Sequence, residues 1–144
     1  MTSLFVDTSA LVKYYYPEVG SERVETILLK SKKVYLCQIA VTEFASALMK
    51  KMRTGTLGKE KQVILWNVFL DDIKAEQMEL IHLDDRHYLK AADIIRDYGQ
   101  KEGIRTLDSL QLVAALDVPD AKFIAADKFL SRLANKMGLN VERI

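Results

Sequence analysis

The chain has 144 residues, of which 49% are apolar and 28% charged, and its net charge is +1. That balance excludes a disordered chain, which needs lower hydrophobicity and more net charge. It also excludes a bulk polycation, so any nucleic-acid binding must come from a local basic patch.

The N-terminus lacks the basic start and long apolar core of a signal peptide, because Asp7 interrupts it at once. Leu4 to Val6 is a short apolar strand ending at Asp7-Thr8-Ser9. A helix is expected from Ala10 to Tyr16, stopped by Pro17. Ser21 is the expected cap of a second helix, with Val24, Ile27 and Leu28 on one face. Val34 to Cys37 reads as the second strand. Cys37 is the only cysteine, so no intrachain disulfide and no Cys-based zinc site can form, which suits a reducing interior.

Val41, Phe44, Ala45, Leu48, Met49 and Met52 recur at helical spacing and predict a helix from Ala40 to Arg53, broken by Gly55 and Gly58. The next helix covers Lys59 to Lys74, with Val63, Trp66, Val68, Phe69, Leu70 and Ile73 as its apolar set. Met78 to Leu83 is the third strand. Asp84 or Asp85 caps a helix ending near Tyr98-Gly99. Thr106 to Leu116 is apolar nearly all round and so expected to be a buried helix. Phe123 to Ala126 is the fourth strand. Asp127 to Met137 is the last helix, closed by Gly138, and Leu139 to Ile144 offers a weak edge strand. Strands separated by helices imply right-handed crossovers and an α/β fold, a three-layer α/β/α sandwich on a mostly parallel sheet. Nothing marks an internal boundary, so residues 1–144 are expected to form one domain. No uncharged apolar run approaches the roughly 20 residues a membrane helix needs. The expected setting is cytoplasmic, with no membrane partner.

Four carboxylates stand at the ends of these segments: Asp7, Glu43, Asp108 and Asp127. Ligands of open parallel sheets bind beyond the carboxyl ends of the strands, where the strand order reverses. Asp7 and Asp127 both follow strands, and Asp108 opens the buried helix. Glu43 lies beside the core stripe of its own. Carboxylates gathered in a buried setting must be paired, protonated or bound to a cation. Several oxygen ligands suit Mg²⁺ or Mn²⁺. Such ions, singly or as a pair roughly 4 Å apart, assist in-line displacement at phosphate. That chemistry needs no Cys or Ser nucleophile and no His base. Each Asp alone is better read as a helix N-cap than as a ligand, and Glu43 alone as a solvated helix residue; only the joint arrangement points to a site.

Leu4-Phe5-Val6-Asp7-Thr8-Ser9 resembles the opening of PIN domains, where a strand ends in Asp, a small residue, and Ser or Asn. Glu43-Phe44-Ala45-Ser46-Ala47-Leu48 is similar to their second acidic element, Arg105-Thr106-Leu107-Asp108-Ser109-Leu110-Gln111 to the third, and Phe123-Ile124-Ala125-Ala126-Asp127 to the fourth. The ordered quartet spans essentially the whole chain, and its size resembles the VapC-type toxins of toxin–antitoxin pairs. The resemblance implies a PIN-like fold and a Mg²⁺- or Mn²⁺-dependent endoribonuclease in which Asp7, Glu43, Asp108 and Asp127 hold the metal. Ser9 would support Asp7 or a metal-bound water. Water would attack the RNA phosphorus in line, leaving a 3′-hydroxyl and a 5′-phosphate. The resemblance further implies a homodimer and a cognate antitoxin that lays a basic side chain in the acidic pocket. Two alternatives stay open: a PIN-type nuclease of RNA processing outside toxin systems, and a non-catalytic module whose acidic pocket binds a basic peptide or RNA.

Lys30, Lys32 and Lys33 form one basic cluster, and Lys50, Lys51, Arg53, Lys59 and Lys61 another. The second flanks the Glu43 helix and serves equally as a phosphate contact or a solvated helix end. Arg105 is a candidate for phosphate or for pairing with Glu102. At least two of Tyr14, Tyr15 and Tyr16 are expected in a core or interface rather than stacked on bases. Trp66 and Phe69 are read the same way. His82 and His87 are spaced poorly for a shared metal and are read as structural. Asp93 and Asp97 are read as solvated, and Asp84, Asp85, Asp117 and Asp120 as caps and turns.

Overall fold

The computed structural model describes residues 1–144. In chain order the elements are β1 (Ser3–Val6), α1 (Thr8–Tyr15), α2 (Ser21–Leu29), β2 (Lys33–Cys37), α3 (Ala40–Arg53), α4 (Lys59–Lys74), β3 (Glu79–Ile81), α5 (Asp85–Glu102), α6 (Thr106–Leu116), β4 (Lys122–Ala125), α7 (Lys128–Lys136) and β5 (Val141–Arg143). The five strands form one sheet in the order β3-β2-β1-β4-β5. Every pairing is parallel, with Phe5 opposite both Tyr35 and Phe123 in register. The expected three-layer α/β/α sandwich is what the chain forms, with the sheet parallel throughout.

Alternation along the strands feeds two cores. Leu4, Val6, Val34, Leu36 and Ile124 face α1 to α4 and pack with Leu11, Val24, Phe44, Leu48 and Phe69. Phe5, Cys37, Phe123 and Ala125 face α5 to α7 and pack with Ile94, Leu112, Val113 and Leu133. Both faces of a parallel sheet are covered, which is why the strands read as continuous apolar runs. Each fully buried Phe or Leu contributes roughly 1.5–3 kcal/mol relative to exposure. Phe44 and Phe69 meet edge-on at 4.6 Å between ring centroids, and Trp66 stacks on Phe44 at 6.3 Å. Tyr15 joins this cluster and donates its hydroxyl to Asp72 at 2.6 Å. Burial, then that hydrogen bond, holds its phenol far above the ordinary range.

Four local expectations need correction. Ser21 is the first residue of α2 and not its cap; Gly20 takes the cap position at φ +95°. The Ser21 hydroxyl is engaged by the Glu18 amide at 2.8 Å and the Tyr16 carbonyl at 3.3 Å. The α1 helix begins at Thr8, two residues before the expected start, because Asp7 itself caps it. The α5 helix runs through Gly99 to Glu102 and ends at Gly103 in the left-handed region. A mid-helix glycine costs about 1 kcal/mol, but Gly99 lies between Ile95 and Ile104, and Gly103 offers the better terminator. On α4 only Phe69 is fully buried, while Val63 and Val68 are exposed. That helix packs on α1 and α3 by a narrow strip through Phe69, so its periodic apolar set overstates its buried face.

Candidate active site

From β1 the chain passes to β2 and β3 on one side of the sheet, and later to β4 and β5 on the other. The order therefore reverses between β1 and β4, and a crevice opens beyond their carboxyl ends. Asp7 follows β1 and caps α1; its Oδ1 accepts from the Ala10 amide at 3.2 Å and the Ser9 hydroxyl at 2.7 Å. Asp127 follows β4 and caps α7; its Oδ1 accepts from the Leu130 amide at 2.7 Å. Capping engages one oxygen of each carboxylate, so the cap and the site are compatible uses of the same residue. Asp108 is not a cap. It sits in the first turn of α6, 7% exposed, and the cap position belongs to Arg105.

Glu43 arrives from the first turn of α3. Its Oε1 accepts from the Thr8 hydroxyl at 2.8 Å and the Gln111 amide at 2.7 Å. Gln111 is 2% exposed, and its Nε2 also reaches Thr8 Oγ1 at 3.0 Å. Its own Oε1 is buried without a hydrogen-bond partner. Thr8 and Gln111 thus fix the rotamer of the one acidic residue that comes from a distant helix. Sequence reasoning assigns neither of them a role. Gln111 does carry a signal: it is a polar residue inside an apolar helix, three positions after Asp108 and so on the same face.

Asp7, Glu43, Asp108 and Asp127 line one cleft of about 530 Å³, together with Ser9, Gln111, Lys50 and Arg105. Ser9 joins the two strand ends. Besides donating to Asp7, its Oγ accepts from the Ala126 and Asp127 amides at 2.9 and 3.0 Å. Replacing Ser9 with Ala strands both amides in a partly buried place and is expected to cost about 1–3 kcal/mol. Urea unfolding measures this, and a loss well under about 0.5 kcal/mol contradicts the strut role.

Burial pushes the Asp7 carboxyl up to about 7; hydrogen bonds from Ser9 and Ala10 oppose the rise, and the Asp127 charge adds to it. Arg105 places Nε 3.1 Å from Asp108 Oδ2 and a terminal nitrogen 3.9 Å from Asp127 Oδ2. Of the two roles open to Arg105, pairing with Glu102 does not occur, because Glu102 pairs with Arg132 and Lys136 instead. Burial raises the Cys37 thiol to about 12, which makes it a poor nucleophile. His82 is exposed; His87 is buried and belongs to the α5 cap, joined to Asp84 and Asp117.

No three carboxylate, imidazole or thiolate groups are already gathered closely enough to hold a metal. The donor set nevertheless fits a hard divalent cation. Its ligating atoms are all oxygens, burial disfavours the bare charge of Asp7, and Gln111 Oε1 stands unsatisfied. A second groove adjoins the cleft, lined by Ser9, Lys13, Lys50, Lys51, Thr54 and Asp127. Lys51 lies over the Tyr16 ring at 3.9 Å. Lys32 and Lys33 lie elsewhere, at the amino end of β2, in a separate cleft.

A PIN domain family profile matches residues 4–136. No sequence among the curated proteins matches the chain. Among solved structures, VapBC2 from Rickettsia felis bound to a DNA fragment from their promoter is similar in fold, with TM-score 0.67 and 18% identity over 99% of this chain and 98% of that one. FitAcB from Neisseria gonorrhoeae gives TM-score 0.63 and 20% identity, covering 96% and 95%. VapBC-5 from Mycobacterium tuberculosis, a member of the VapBC family of toxin-antitoxin systems, gives 0.65 and 14%, covering both chains fully. No helix is long and apolar enough to cross a membrane.

Proposed function

The chain belongs to the PIN domain family, and on that footing we propose that it is a metal-dependent endoribonuclease and the toxin of a toxin–antitoxin pair. The observation that carries the proposal is the convergence of Asp7, Glu43, Asp108 and Asp127, from four separate elements, on one cleft at the β1/β4 switch point. In this reading the four carboxylates hold Mg²⁺ or Mn²⁺. A divalent ion there would supply the positive charge that steadies a phosphate and acidifies water. Ser9 holds Asp7 and the Asp127 backbone in fixed relation, and Thr8 with Gln111 holds Glu43. Lys50 gives the phosphodiester backbone a positive charge beside the acidic cleft, offsetting the repulsion between RNA and carboxylates, while Lys13 and Lys51 line the same groove paired with Glu18.

The choice of RNA follows the resemblance of the four acidic motifs to those of PIN domains, and the toxin role follows the likeness to the toxin–antitoxin structures. It brings with it a cytoplasmic setting, a homodimer and an antitoxin partner. Induced expression of the wild type is expected to create new 5′-phosphate ends in total cellular RNA that are absent when the Asp127→Asn variant is expressed. Identical end profiles from the two proteins contradict the proposal. One observation favours a non-catalytic acidic-pocket module instead: every one of the four carboxylates already has a protein partner. That module predicts RNA or peptide binding with no new ends at all.

A further inference from the structure

Arg105 is the only cation paired with the acidic quartet. It stands at the cap position of α6, and its guanidinium reaches Oδ2 of both Asp108 and Asp127. Nothing else holds it: the side chain is 74% exposed, and Glu102, its nearest alternative by sequence, is engaged by Arg132 and Lys136. The hydrogen bond to Asp108, followed by the Asp108 charge, keeps the guanidinium more firmly protonated than usual. Asp108 is nearly buried while Arg105 is not, so the pair joins a buried acceptor to an exposed donor.

We infer that Arg105 is a displaceable internal counter-ion, which competes with a divalent cation for Asp108 and Asp127. The inference rests on the metal-binding reading of the cleft. Its physical basis is electrostatic: a guanidinium 3.1 Å from Asp108 and 3.9 Å from Asp127 neutralises the charge that a cation would bind and repels that cation at close range. An exposed ion pair is weak, so the arginine yields to an ion of higher charge. Until it does, it balances two carboxylates that would otherwise repel each other across the cleft.

Isothermal titration of the metal-free full-length protein with MnCl₂ tests this. Arg105→Gln is expected to bind Mn²⁺ about three- to tenfold more tightly than wild type, and Arg105→Lys, which keeps the charge without the planar fork, to fall between them. Lys50→Gln removes a positive charge from the same cleft without touching either carboxylate, and is expected to change affinity less than twofold. Unchanged or weaker binding by Arg105→Gln overturns the inference. So does an equal gain from Lys50→Gln, which reduces the effect to general charge. If neither wild type nor Arg105→Gln binds Mn²⁺, the metal reading itself fails and takes this inference with it.

Discussion

Replacing Asp108 with Asn is expected to lower RNA cleavage by at least about a hundredfold, the scale seen when one preorganised charge-stabilising group is removed from an active site, while the protein stays folded. The amide has nearly the shape of the carboxylate, so the α6 packing around Leu110, Leu112 and Val113 is undisturbed. What is lost is the negative charge, and with it the cation ligand of the proposed site and the observed partner of Arg105. The first turn of α6 also loses an acid favoured by the helix dipole, a cost of about 0.3–1 kcal/mol. Cleavage at the wild-type rate, with circular dichroism showing an intact fold, removes Asp108 from the site.

The second large effect runs the other way on stability. In EDTA at pH 8, Asp7→Asn is expected to melt at least about 3 °C higher than wild type, the change that roughly 1 kcal/mol produces in a domain of this size. Burial raises the folded-state value of Asp7 to about 7 from the ordinary 3.8. A carboxyl raised on folding stabilises fully below the unfolded value and loses that stability as pH rises through the folded value. At about 1.4 kcal/mol per tenfold change in proton affinity, the penalty of keeping wild-type Asp7 ionised in the metal-free fold is bounded at roughly 4 kcal/mol. Asn carries no such penalty and keeps the acceptor for Ser9 and Ala10. The advantage should therefore shrink as pH falls from 8 toward 5. A variant less stable than wild type at pH 8, or a gap that does not change with pH, contradicts the burial account of Asp7. The same substitution should lose cleavage as Asp108→Asn does, so stability and activity move in opposite directions.

This trade between stability and charge bears on which parts of the site are legible in the sequence. Asp7 and Asp127 are legible because a strand that ends in a carboxylate leaves a local pattern, and because alternating strands and helices imply a parallel sheet. The β1/β4 neighbour relation that brings them together follows from topology. Glu43 is the weakest member, since its helical periodicity gives only a rotation; Thr8 and Gln111 settle its direction, and their contacts span 35 and 68 residues. No local spacing carries such information. Pairing Arg105 with Glu102 fails because near neighbours in sequence are the natural first guess, while α7 brings Arg132 and Lys136 to Glu102 from a distant part of the chain. The expectations at Ser21 and Gly99 fail for a different reason. Both residues have strong local preferences, and in both places a neighbouring glycine with a left-handed backbone does the capping or terminating instead.

Cleavage by purified protein is the most direct test of a metal-dependent ribonuclease. A 5′-labelled single-stranded RNA is incubated with the wild type in Mg²⁺ or Mn²⁺, and in parallel with EDTA. Endonucleolytic cuts that appear with the metal, vanish with EDTA and are absent for Asp108→Asn are the predicted result. Intact RNA under every metal condition, or cuts that persist undiminished in EDTA, would contradict it.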